Sequence, residues 1–123
     1  MIKTVTLLVK RDDWTREEFL RYWQDVHGPL ARAVKGIKRY VQSECEDQII
    51  RKDIVELDFP ADGVAEVWYE SHEAMKEARQ SPEGQALLAD GAKFIGRART
   101  LVVREREIIS GDDTARKDWI TAI

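Results

Sequence analysis

Apolar residues recur along this chain with two different periods. From Ile2 to Lys10 they alternate, with Val5, Leu7 and Val9 on one side and Ile2, Thr4, Thr6 and Leu8 on the other. β-branched residues dominate, so the stretch reads as a strand. Both sides are partly apolar, which predicts a strand covered on two faces. Past Trp14 the period changes. Phe19, Tyr22, Trp23, Val26 and Leu30 follow helical spacing. Thr15 and Glu18 form a capping box, and Trp14 and Phe19 a hydrophobic staple, so the helix starts at Thr15. His27-Gly28-Pro29 predicts its end, because the residue before a proline is pushed out of the α region. A short continuation, Pro29–Lys35, stops at Gly36.

Alternation returns at Ile37–Cys45, with Tyr40, Gln42 and Glu44 on one face. Residues 46–63 carry Ile49, Ile50, Ile54, Val55, Leu57 and Phe59 among charges. A connection so long and apolar reads as a lid, a binding loop or a subunit contact. Val64–Glu70 is a third strand. Ser71 caps a helix running to Gln80, and Ser81-Pro82-Glu83 starts another that ends near Gly91. Phe94 lies in the connection to a fourth strand, Arg97–Ile108. The order β-α-β-β-α-β predicts an α+β, ferredoxin-like fold, an antiparallel sheet with its helices on one face. The other face carries apolar residues on its strands and predicts a partner, most economically a second copy in a symmetric homodimer. Residues 1–108 read as one domain. Residues 109–123 form a tail whose Trp119, Ile120 and Ile123 suit docking on that partner.

Composition narrows the function. The 123 residues are 43% hydrophobic and 35% charged, with a formal charge of −3. That describes a globular chain without the basic surface that nucleic acid or an anionic membrane attracts. No apolar run is long enough to span a bilayer. The single cysteine, Cys45, reads as a small core residue in a reducing cytoplasm. Histidine and cysteine spacings form no metal set, and no Gly-rich phosphate loop or G-x-S-x-G elbow is present.

The chemistry that remains centres on His27, a residue type able to give and take a proton, at the end of an aromatic-faced helix. It is either a general acid/base at a pocket mouth or a structural histidine holding the Gly28-Pro29 corner. Tyr40 either polarises a substrate carbonyl or fills the inner sheet face. Phe19, Tyr22, Trp23, Trp68 and Phe94 either line a pocket for a flat ligand or form ordinary core. Glu66 is either a second acid/base group or the partner of Arg39 or Arg99. His72, just past a helix cap, reads as solvated.

Phe19-Leu20-Arg21-Tyr22-Trp23 followed by Val26-His27-Gly28-Pro29-Leu30-Ala31 resembles the signature of the EthD family, within the dimeric α+β barrel superfamily. Lys10-Arg11, Ile37-Lys38-Arg39-Tyr40, Gly63-Val64-Ala65-Glu66-Val67-Trp68 and Phe94-Ile95 agree with it. The resemblance covers about residues 2–108. It implies a homodimer with a pocket between sheet and first helix in each subunit. It also implies proton-moving chemistry on small cyclic, aromatic or polyketide-type substrates (isomerase, cyclase or lyase) with no cofactor. By that match His27 is the acid/base and Tyr40 a pocket hydroxyl. Phe19, Tyr22, Trp23, Glu66, Trp68 and Phe94 are the substrate-binding candidates. Strand two lacks a second histidine at its start, so no histidine pair is expected. The other reading is a non-catalytic protein that binds and delivers a small hydrophobic molecule in an oxidative degradation pathway.

Overall fold

A computed structural model describes residues 1–111. Trp119, Ile120 and Ile123 of the tail lie outside the described residues. The strands are β1 (Ile2–Lys10), β2 (Arg39–Glu44), β3 (Gly63–Tyr69) and β4 (Ile95–Val103). They form one antiparallel sheet in the order β2-β3-β1-β4. The helices are α1 (Arg16–Tyr22), α2 (Gly28–Arg32), α3 (His72–Gln80) and α4 (Pro82–Gly91). The fold is α+β and ferredoxin-like. β4 begins two residues earlier and ends sooner than its apolar run predicts. No described helix is long and apolar enough to cross a membrane.

The capping box forms as expected. Glu18 N–H donates to Thr15 Oγ1 at 3.1 Å, and Thr15 N–H to Glu18 Oε1 at 3.0 Å. Trp14 packs edge-on against Tyr22, while Phe19 meets Trp23 and Phe94. The predicted stop at His27-Gly28-Pro29 is corrected by the structure. Trp23–His27 forms a π turn, and the backbone passes through His27 and Gly28 in helical conformation into α2. Proline has no N–H, and its ring collides with the carbonyl four residues back in a regular α-helix. Widening the preceding turn accommodates it without a break. The helix ends at Arg32, three residues short of the predicted continuation, and the chain turns at Gly36, whose φ of 96° is left-handed.

The inner face of β1 explains how the core is divided. Ile2 and Leu8, at its ends, are buried in two separate clusters. Ile2 packs with Val34, Tyr69 and Ala78; Leu8 packs with Phe19, Trp23, Ala65 and Phe94. Between them stand Thr4 and Thr6, paired across the sheet with Val67 and Ala65 on β3 and with Val102 and Thr100 on β4. Small side chains in the middle of the face leave space that the large ones at either end do not fill. Gly63 completes one end. A Cβ there would lie 2.5 Å from the Trp23 ring, so only glycine lets that ring rest on β3.

The outer face carries Val5, Leu7, Val9, Val41, Val64, Leu101 and Val103, with Glu66 and Arg99 among them. Glu66 on this face pairs with Lys3 at 2.6 Å, not with Arg39 or Arg99 as the sequence suggested. The register explains this: Lys3 faces Trp68 and Val5 faces Glu66 on the neighbouring strand, so Lys3 is diagonal to Glu66 on the same face. Lys3 and Arg39 both lie over the Trp68 ring. Residues 45–62 form no regular element, and Ile49 and Val55 are each 96% exposed.

Candidate functional site

The space between the two core clusters is a cavity of about 410 Å³. Thr4, Thr6, Ala65, Val67, Ala98 and Thr100 form its floor on the sheet. Trp23, His27, Leu87, Leu88 and Gly91 face them from the helical layer, and Tyr40 closes one side.

His27 reaches this cavity because of the π turn. In a regular α-helix residues five apart lie roughly 140° apart around the axis. Bonding from i to i+5 brings such residues toward one face. Tyr22 and His27 therefore converge on one carboxylate, Asp90. Tyr22 Oη donates to Asp90 Oδ1 at 2.6 Å, and His27 Nδ1 stands 2.9 Å from Asp90 Oδ2. Asp90 is 5% exposed, and the exposed Lys93 ammonium lies 3.7 Å from Oδ1. Burial pushes the Asp90 carboxyl upward, but the bonds from Tyr22 and His27, with the charges of His27 and Lys93, hold it below its ordinary value. It is an ionised acceptor, so the proton shared with His27 sits on Nδ1. The remaining ring nitrogen, Nε2, is the one available to the cavity. The bond to Asp90 raises the Tyr22 phenol to about 12, with burial and the carboxylate's charge acting in the same direction.

Tyr40 is positioned by Gln42. Its amide nitrogen donates to Trp23 O at 2.8 Å and to Tyr40 Oη at 3.0 Å. A carbonyl can only accept, which fixes the amide orientation. Trp23 O also accepts the N–H of Gly28 across the π turn. The Trp23 Nε1–H is buried and makes no well-aligned hydrogen bond, though it lies close enough to Tyr40 to act on its phenol. Burial raises the Tyr40 phenol, opposed by the Gln42 hydrogen bond and the nearby Trp23 N–H. Tyr40 thus receives the Gln42 hydrogen bond on its oxygen and keeps its own proton to donate.

The structure brings His27, Tyr40 and Trp23 to one cavity. Tyr22 stands behind His27, on Asp90. Phe19 and Phe94 are fully buried; the Phe94 ring supports His27 edge-on at 4.9 Å. Both are core on which the site rests, outside the cavity wall. Glu66 and Trp68 are on the opposite face of the sheet, since they alternate with Ala65 and Val67. His72 is exposed. Asp90 was not singled out in the sequence. Its one signal is a carboxylate in the last turn of α4, where the helix dipole disfavours negative charge and a compensating partner is needed.

A family model described as the EthD domain matches residues 11–98. No curated protein matches the sequence. Solved structures share the fold. An ethyl tert-butyl ether D (EthD) family protein from Bacillus halodurans is 23% identical with a TM-score of 0.68, over 86% of this chain and 99% of its own. A dimeric ferredoxin-like protein of unknown function from Thermobifida fusca is 14% identical with a TM-score of 0.62, over 85% and 90%. SnoaB, a cofactor-independent oxygenase from Streptomyces nogalater, is 15% identical with a TM-score of 0.58, over 89% and 96%.

Proposed function

Because this chain belongs to the EthD family, we propose that its cavity is the active site of a cofactor-independent enzyme acting on a small cyclic, aromatic or polyketide-type substrate by histidine acid/base chemistry. The observation that carries this is the Tyr22–Asp90–His27 chain of hydrogen bonds behind a cavity that Tyr40 also lines. A backbone carbonyl would serve a histidine that only braced a corner. Here a buried carboxylate fixes the tautomer and stabilises the imidazolium that forms when Nε2 takes a proton.

The reaction begins at a C–H beside a substrate carbonyl. His27 Nε2 removes that proton, and the C–H electron pair moves into the carbonyl to make an enolate. Tyr40 donates its hydrogen bond to the enolate oxygen, and Asp90 offsets the charge on His27. Returning the proton at another carbon gives an isomer; attack of the enolate on a second carbonyl closes a ring; loss of a leaving group completes a lyase step. The activity described for the Streptomyces nogalater relative favours a second outcome, in which the electron-rich anion reacts directly with O2.

In this reading the chain pairs with a second copy through the outer face of the sheet. The test of the chemistry is deuterium incorporation from D2O into a panel of cyclic ketones and lactones. The wild-type protein should accelerate exchange beside the carbonyl. His27→Gln should lose about 10²–10⁴-fold of that acceleration with an unchanged unfolding midpoint. Undiminished exchange in His27→Gln would overturn the assignment. Tight binding without exchange would return the protein to small-molecule delivery. Oxygen uptake accompanying exchange would select the oxygenase outcome.

A further inference from the structure

The cavity has a charge pattern that proton transfer alone does not require. The chain as a whole carries a formal charge of −3, yet no Asp or Glu is among the residues that line the cavity. The cation it holds is Arg79, with His27 added when protonated. Arg97 pairs with Val9, so its side chain belongs to the outer face, where it lies over the Phe59 ring at 5.8 Å. Arg79 is half-buried, in the last turn of α3. Among the described residues it takes part in no salt bridge.

Arg79 does have a neighbour inside the fold. Its guanidinium acts on the phenol of Tyr69, which burial raises and Arg79 pulls back. Tyr69 is 4% exposed and belongs to the Ile2 cluster, whereas the core cluster beside Trp23 is the Leu8 one. On β3, Tyr69 is two residues beyond Val67, the partner of Tyr40, or roughly 7 Å along the strand. The catalytic group and the arginine are therefore associated with different ends of one cavity, which Val67 and Leu87 also line. A half-buried guanidinium with no carboxylate partner among the described residues is a ready donor to a bidentate oxyanion.

We infer that Arg79, backed by Tyr69, is the anion-binding end of the cavity, and that the substrate is an apolar ring carrying a carboxylate. The inference rests on the cavity being the ligand site proposed above. It adds the substrate class and the residue that recognises it. A carboxylate held at Arg79 leaves the ring across the Thr4–Thr6 floor and turns its other side toward His27 and Tyr40.

The probes are 1-naphthoate and its uncharged isostere 1-naphthamide, with binding measured by calorimetry. Wild-type protein should bind the carboxylate about tenfold or more tightly than the amide, the usual worth of a charged hydrogen-bonded pair. Arg79→Gln should bring naphthoate down to the level of naphthamide while leaving naphthamide binding unchanged, which also shows that the variant is folded. Arg79→Lys should keep part of the preference. His27→Gln should retain the preference in full, so loss of catalysis and loss of anion recognition are read separately. Equal affinity for the two probes in the wild type, failure of both to bind, or an unchanged preference in Arg79→Gln would overturn the assignment. A wild-type preference abolished by Arg79→Gln, with no proton exchange on any ketone or lactone, would leave the anion site standing and remove the enzyme reading.

Discussion

Asp90 shows how one buried side chain sets the behaviour of two others. It takes a proton donor on each oxygen, fixes the histidine tautomer and holds the Tyr22 phenol un-ionised. These couplings make stability depend on pH in a stated direction. The folded Asp90 value is depressed, so its contribution is complete above the ordinary aspartate value near ~3.9 and is lost as pH falls through the lower folded value. The Tyr22 value is raised to about 12, so its contribution is complete below the ordinary tyrosine value of ~10 and is lost as pH rises toward the folded one. Urea midpoints measured across pH should therefore fall at both extremes. In Asp90→Asn the acid limb should flatten and the neutral-pH midpoint drop; identical curves for the two proteins would contradict the coupling. His27 and Tyr40 were readable as candidates from residue type and position alone. Asp90 was not, because 63 residues separate it from His27 and nothing local marks the meeting.

At the scale of elements, most starts and stops follow local chemistry. Thr15, Ser71 and Ser81 cap the helices that their sequences announce. Ser81 serves two of them. Its hydroxyl donates to Ala78 O at 2.7 Å, closing α3, and accepts Gly84 N–H at 3.1 Å, opening α4. Ser81→Ala should cost about 1–2 kcal/mol in urea unfolding, the upper range for a lost cap; a loss below a few tenths would show that the turn is held elsewhere. The π turn is the exception to local legibility. A helical wheel at 3.6 residues per turn sends Tyr22 and His27 to different faces, and Gly-Pro reads as a break. The wider turn becomes favourable once Trp23 seats on Gly63 and Gln42 donates to the Trp23 carbonyl. Both partners lie outside the segment.

For the whole molecule, the βαββαβ order and the alternation on each strand are enough to yield the sheet. The outer face then bears on assembly. Leu101 stands in its middle, opposite Val5, and is 47% exposed in the single chain. Leu101→Asp should leave the chain folded, since the side chain meets solvent in the monomer, and should burden only sheet-to-sheet association with a buried charge. Light scattering should give about twice the 14.2 kDa chain mass for the wild type and a single-chain mass for the variant. A dimer that survives Leu101→Asp would place the interface elsewhere. By itself the sequence determined most of the elements, their order, the sheet and two of the residues that line the cavity, because periodicity, capping and residue type are local properties. Only the tertiary structure decided what that chemistry adds up to. Small residues on different strands had to align before a cavity opened between two cores. A helix had to widen before His27 and Tyr22 could share Asp90. Phe19 and Phe94 became support and Trp68 and Glu66 went to the far face, because side-chain direction across a sheet is set by register, which is a relation between segments.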